Sequence, residues 1–114
     1  LFPKKDIWNV LRERYGEKNK ARLSKSALET LSIIAYKQPI TRGEIEQIRG
    51  VSADNMIRLL VERSLITEAG HKDVPGRPIQ FKTTKEFLKY FHLNSIADLP
   101  QLDEDEEQRF TLAR

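Results

Sequence analysis

Groups able to do acid–base or nucleophilic chemistry are scarce in this 114-residue chain: it has two histidines, His71 and His92, and no cysteine. His71 and Asp73 flank Lys72 inside a stretch of turn residues, whereas a working base needs an orienting partner and a positioned substrate, neither of which a loop supplies. His92 falls in a separate segment, so the two imidazoles make no metal pair. Without cysteine there is no thiolate nucleophile, no disulfide frame and no sulfur-ligated zinc or iron site. A glycine-rich phosphate loop is missing as well. The sequence therefore predicts a non-enzymatic chain with no cofactor and no metal. The chemistry left to it is recognition, through arginines and lysines set among apolar and acidic positions.

A series of short elements must position those cations. Asp6 caps a predicted helix carrying Ile7, Trp8, Leu11 and Tyr15, and Gly16 can end it. Trp8 brings a large apolar area that so short a helix needs to bury against a neighbouring domain. After a polar connection over residues 17–22, Ser24 or Ser26 starts a second helix, with Ser26 and Glu29 spaced as a capping box. Leu28, Leu31, Ile34 and Ala35 form its core stripe, and Gln38-Pro39 stops it because proline lacks the amide hydrogen. Ile40 supplies one short strand position. Thr41 and Glu44 make a further capping box for a helix that buries Ile45 and Ile48 and ends at Gly50.

Val51 is expected to tuck between that helix and the next, which Ser52 caps and whose Met56, Ile57, Leu60 and Val61 are expected to face inward. Leu65–Ala69 and Ile79–Thr83 read as strands, and the turn-rich residues 70–78 between them read as a wing. Thr83 and Glu86 frame another capping box ahead of Phe87, Leu88 and Phe91, and Ser95–Leu99 form a last turn before Pro100. There is no internal repeat. Together these elements predict a mainly α fold with a small β wing, a winged helix-turn-helix domain over residues 23–99. Residues 1–22 read as a lone helix and linker. Residues 100–114 read as an acidic, disordered tail in which Phe110 and Leu112 are apolar exceptions available to a partner.

The longest apolar stretch, Leu31–Ala35 with Ser32 inside it, is far short of the roughly 20 residues of a membrane span. The net charge of +3 is unevenly spread, with eight basic and three acidic side chains in residues 1–26 and five consecutive acids at Asp103–Glu107. The basic arm has the charge to hold phosphates, and its composition equally describes a solvated linker. In a DNA-reading helix-turn-helix, Arg, Lys, Asn or Gln near the start of the second helix reaches base edges. Here that helix begins Ser52-Ala53-Asp54-Asn55, its expected exposed positions are Asp54, Asn55, Arg58 and Glu62, and Asp54 would repel phosphate. Base-specific reading is thus disfavoured. Lys72, Arg77 and Lys82 leave a weak, salt-sensitive phosphate contact through the wing open, while Pro75-Gly76-Arg77-Pro78 also reads as a turn in which Arg77 bonds nearby acceptors.

Four blocks resemble the second winged-helix domain of the segregation and condensation protein B (ScpB) family, over roughly Leu23–Leu99. They are Leu23-Ser24 with Ala27-Leu28-Glu29-Thr30-Leu31; residues 33–42, reading IIAYKQPITR; Ile48-Arg49-Gly50-Val51-Ser52; and residues 72–78, reading KDVPGRP. Thr83-Thr84-Lys85-Glu86-Phe87-Leu88, followed by Tyr90-Phe91, extends the match to the closing helix. The chain departs from the pattern at His92, where the family commonly has Gly, and after Pro100.

The resemblance implies a subunit of two tandem winged helices that dimerises and binds the kleisin ScpA, in a condensin-like complex built on SMC ATPase. Such a subunit takes part in chromosome condensation and partition during cell division, in the cytoplasm and associated with the nucleoid. Residues 1–22 would then be the residual helix and linker of the preceding winged-helix domain, and the chain a carboxy-terminal piece. The residues expected to border the partner surface are Tyr36, Arg42, Arg49 and Arg58 on the helical side, with Arg77 on the wing. Structural roles stay open for each: Tyr36 as cover of the core edge, Arg49 as a bond to the end of its own helix. The alternative from the residues alone is a winged-helix DNA-binding module or transcription regulator.

Overall fold

The computed structural model describes residues 23–100. The expected helix with Trp8, the basic arm, and the tail with Phe110 and Leu112 lie outside the described residues.

The first described helix, α1 (Lys25–Lys37), starts where Ser24 sits extended and its side chain accepts from the Ala27 amide at 3.1 Å. Ser24 is therefore the cap, and the expected Ser26–Glu29 box is not used. Ser26 lies inside the helix, where its carbonyl accepts the Thr30 hydroxyl at 2.9 Å. Residues 30–35 are all buried, because α1 runs through the middle of the domain. The covered hydroxyls of Thr30 and Ser32 both bond back to carbonyls four residues earlier, which removes the cost of burying them unpaired. Gln38 leaves the helix in an extended conformation ahead of Pro39, as expected.

β1 (Ile40–Thr41), α2 (Arg42–Arg49) and α3 (Asp54–Glu62) follow, then the antiparallel strands β2 (Ile66–His71) and β3 (Ile79–Thr83). The sheet order is β1-β3-β2, with Ile40 opposite Phe81 and Ile66 opposite Thr83, and β2 is irregular between Glu68 and His71. This is the winged helix-turn-helix that the pattern predicts. Gln38 clamps α1 to the sheet: its Oε1 accepts from the Thr83 amide at 2.9 Å and hydroxyl at 3.1 Å, while its Nε2 donates to the Ala35 carbonyl at 2.9 Å. Thr83 is thus occupied, and α4 (Lys85–Tyr90) is capped by Thr84 instead of Thr83, through the Phe87 amide at 3.2 Å. Phe87 and Phe91 meet at 4.9 Å between ring centres and are fully buried. A single 3-10 turn, Ile96–Asp98, precedes Leu99, which is buried.

α3 and α4 close in the same way. After α3, Ser64 takes φ 62 and Leu65 N–H reaches the Leu60 carbonyl at 3.0 Å. After α4, His92 takes φ 57 and Leu93 N–H reaches the Leu88 carbonyl at 2.8 Å. Both are left-handed helix stops that glycine makes most cheaply. The departure at His92 falls on such a stop.

Candidate partner-binding surface

The outward face of the helix-turn-helix is built around two glutamates. Thr41 and Glu44 form the predicted capping box, in which the Glu44 amide reaches the Thr41 hydroxyl at 3.1 Å and Glu44 Oε1 accepts from the Thr41 amide at 2.9 Å. The second oxygen, Oε2, accepts from Lys72 of the wing. Burial pushes the Glu44 carboxyl up, but the hydrogen bonds from Lys72 and Thr41 outweigh this and hold it below its ordinary value.

α3 has Ala53 at its cap position and no side-chain cap, so the cap expected of Ser52 is not made, and Glu46 instead holds the turn. Its Oε2 accepts from the Ala53 amide at 2.9 Å, whereas Ser52 Oγ offers the Asp54 amide only a 3.4 Å contact. Ala53, fully buried, fills the space between the helices that was expected for Val51, and Val51 is 55% exposed. On α3, Ile57 and Leu60 are buried and Met56 packs against the core, but Val61 faces outward, 43% exposed, instead of inward. The outward positions Asp54, Asn55, Arg58 and Glu62 are as expected.

The five expected surface residues divide. Arg42 is exposed and donates to Asp54 Oδ1 at 2.8 Å, with Glu46 Oε2 at 3.8 Å. The hydrogen bond to Asp54 leads in holding its proton more firmly than usual. Arg58 is exposed four residues beyond Asp54, on the same face of α3 that Arg42 reaches through Asp54. Arg77 lies on the wing at φ 42 with its guanidinium 3.7 Å from Asp73, away from that pair in sequence and element.

Arg49 is turned inward. Its side chain is 8% exposed, with Nε 3.7 Å from Glu29 Oε1 of α1 and no hydrogen-bond partner for that Nε. Tyr36 is half-buried and donates to the Pro100 carbonyl at 2.8 Å, tying the end of α1 to the last described residue. Among the described residues no group of three or more His, Cys, Asp or Glu could hold a metal, and no helix is long and apolar enough to cross a membrane.

Residues 1–102 match the family model described as segregation and condensation complex subunit ScpB. The chain belongs to the ScpB family. ScpB-family proteins of known sequence resemble it closely. Segregation and condensation protein B of Ruminiclostridium cellulolyticum is 50% identical over 112 residues, covering 98% of this chain and 59% of the relative. That of Clostridium tetani is 58% identical over 82 residues, covering 72% and 43%. The chain spans about half the length of the curated relatives it matches.

The crystal structure of ScpB from Mycobacterium tuberculosis superposes with TM-score 0.58 at 41% identity, over 61% of this chain and 43% of that one. A conserved hypothetical protein from Chlorobium tepidum gives 0.60 at 45% identity, over 77% and 54%. ScpB membership places the chain among complex subunits and not among enzymes.

The sequence reading missed Gln38, Glu46 and the second oxygen of Glu44. Each acts across seven to 45 residues of chain, and no local pattern announces such a bond.

Proposed function

We propose that this winged helix, residues 23–99, is a kleisin-binding domain. Through the kleisin ScpA it would join an SMC ATPase in chromosome condensation and partition during cell division, in the cytoplasm at the nucleoid. The full-length subunit acts in this reading as a homodimer, with residues 1–22 linking to a preceding winged helix and 100–114 as its tail.

One observation carries the choice of a protein over nucleic acid. On the face where a DNA-binding winged helix offers free cations, Arg42 and Lys72 are already bonded to Asp54 and Glu44. What this face leaves open is mixed: Arg58 with Val61 one turn along α3, Asn55 and Glu62 beside them, and Val51 in the turn. An arginine among exposed aliphatic groups suits the amphipathic face of a partner helix. Arg58 and Arg42 are assigned to that contact and Arg77 to its wing border, while Tyr36 and Arg49 support it from within.

The test is calorimetric titration of the chain with the central segment of its cognate kleisin. Arg58→Ala and Val61→Asp should each weaken binding about tenfold or more while leaving the circular dichroism unchanged. Unchanged affinity in both would remove the α3 face from the contact.

A further inference from the structure

α2 grips the start of α3 at two points, and both grips come from one face of α2. Arg42 and Glu46 stand four residues apart, so their side chains leave the helix on the same side. Arg42 Nη1 donates to Asp54 Oδ1 at 2.8 Å, and Glu46 Oε2 accepts from the Ala53 amide at 2.9 Å. The two holders also face each other, with Arg42 Nε 3.8 Å from Glu46 Oε2. Because Ala53 is fully buried, its N–H depends on that carboxylate oxygen for an acceptor. α3 brings no cap of its own: its cap residue makes no side-chain hydrogen bond, and Ser52 Oγ stands 3.4 Å from the Asp54 amide. α2, by contrast, is fixed at both ends, by the Thr41–Glu44 box and by Gly50 at φ 82. A secured helix thus holds an uncapped one.

We propose that Glu46 is a positioning residue for the partner surface: through the Ala53 amide it sets how α3 presents Arg58 and Val61, without itself touching the partner. The proposal rests on the reading that α3 carries the kleisin contact. Arg58 is one turn beyond Asp54 and Val61 nearly one turn further, so whatever fixes Ala53 and Asp54 fixes the direction in which both side chains are offered. A partner that meets a preset α3 need not order its first turn on binding, and loss of such preorganisation shows in affinity. The Glu46 side chain is 29% exposed against 57% for Arg42, and its Oε2 is committed within the domain, so its effect on a partner passes through the groups it holds. A role in stability alone would leave affinity untouched, because a modest loss of stability leaves nearly every molecule folded and competent to bind.

Calorimetric titration with the central kleisin segment, on Glu46→Ala, Glu46→Gln and the double variant Glu46→Ala/Arg58→Ala, supplies the test. Glu46→Ala should weaken binding about fivefold. Glu46→Gln should recover most of that loss, because its amide oxygen still accepts from the Ala53 N–H. In a chain already carrying Arg58→Ala, the same Glu46→Ala change should cost only about twofold, since a side chain it positions is gone. In the free chain, the Ala53 amide should exchange with deuterium about tenfold faster in Glu46→Ala and close to the native rate in Glu46→Gln. Native affinity or native Ala53 exchange in Glu46→Ala, no recovery in Glu46→Gln, or a loss undiminished by Arg58→Ala would each overturn the proposal while leaving the α3 contact standing. Unchanged affinity in both Arg58→Ala and Val61→Asp would remove the contact and the proposal together.

Discussion

The helix-turn-helix and the β3–α4 junction hold their charges in opposite ways. In the first, carboxylates are part of the construction: Glu44 caps α2 and takes Lys72, Glu46 takes the Ala53 amide ahead of α3 and attends Arg42, and Glu29 meets Arg49 under cover of the fold. In the second, Lys82, Lys85 and Lys89 make no ion pair among the described residues. Arg58 apart, the cations of the first region are already satisfied, and only an unsatisfied one has free energy to offer a partner.

The sharpest test of this contrast lies at Glu29. Its replacement by Ala leaves the covered Arg49 guanidinium without its carboxylate, and breaking a buried pair from one side costs about 3 kcal/mol. The urea midpoint should fall while the slope stays constant. A loss within about 0.5 kcal/mol would place this pair with ordinary surface charges.

Glu46→Ala comes next, since it strips the Ala53 amide of its acceptor and Arg42 of a neighbour. A loss of about 1 kcal/mol in the same assay is expected. Smaller again is the pH effect at Glu44. Because its carboxyl is held below its ordinary value, the stability it contributes is present above the ordinary carboxylate range and drains away as the pH falls through and below that range. Urea titrations from about pH 6 to 3 should show a steeper loss for the native chain than for Lys72→Met. Parallel curves would mean that the wing lysine does not stabilise the carboxylate. At the far end, Lys85→Ser with Lys89→Ser should change stability by less than about 0.5 kcal/mol, because neither side chain has an ion-pair partner to lose among the described residues.

Much of the fold was legible because its signals are local. The Thr41–Glu44 box, the stop at Gln38-Pro39, the left-handed Gly50 and the two strand runs each need only a few consecutive residues. Errors arose where two residues offered the same local signal. Ser24 and Ser26 both suit a cap, as do Thr83 and Thr84, and the choice is made by tertiary contacts: Thr83 is engaged by Gln38, 45 residues away. Val51 and Ala53 competed for the helix–helix space, and the smaller side chain took it. Val61 sits at the margin of the apolar stripe set by Ile57 and Leu60, where spacing alone cannot place it. Among the expected surface arginines, Arg49 shows that an arginine immediately before a glycine stop can turn inward when a glutamate on α1 waits there.

The sharing of Glu44 between the start of α2 and the wing makes these two parts thermodynamically linked. Any ligand that draws Lys72 off the carboxylate must work against the bond it breaks, and the freed oxygen alters how firmly the first turn of α2 is held. By reciprocity, a partner that engages the amino end of α2 changes the wing's affinity for its own ligand by the same factor.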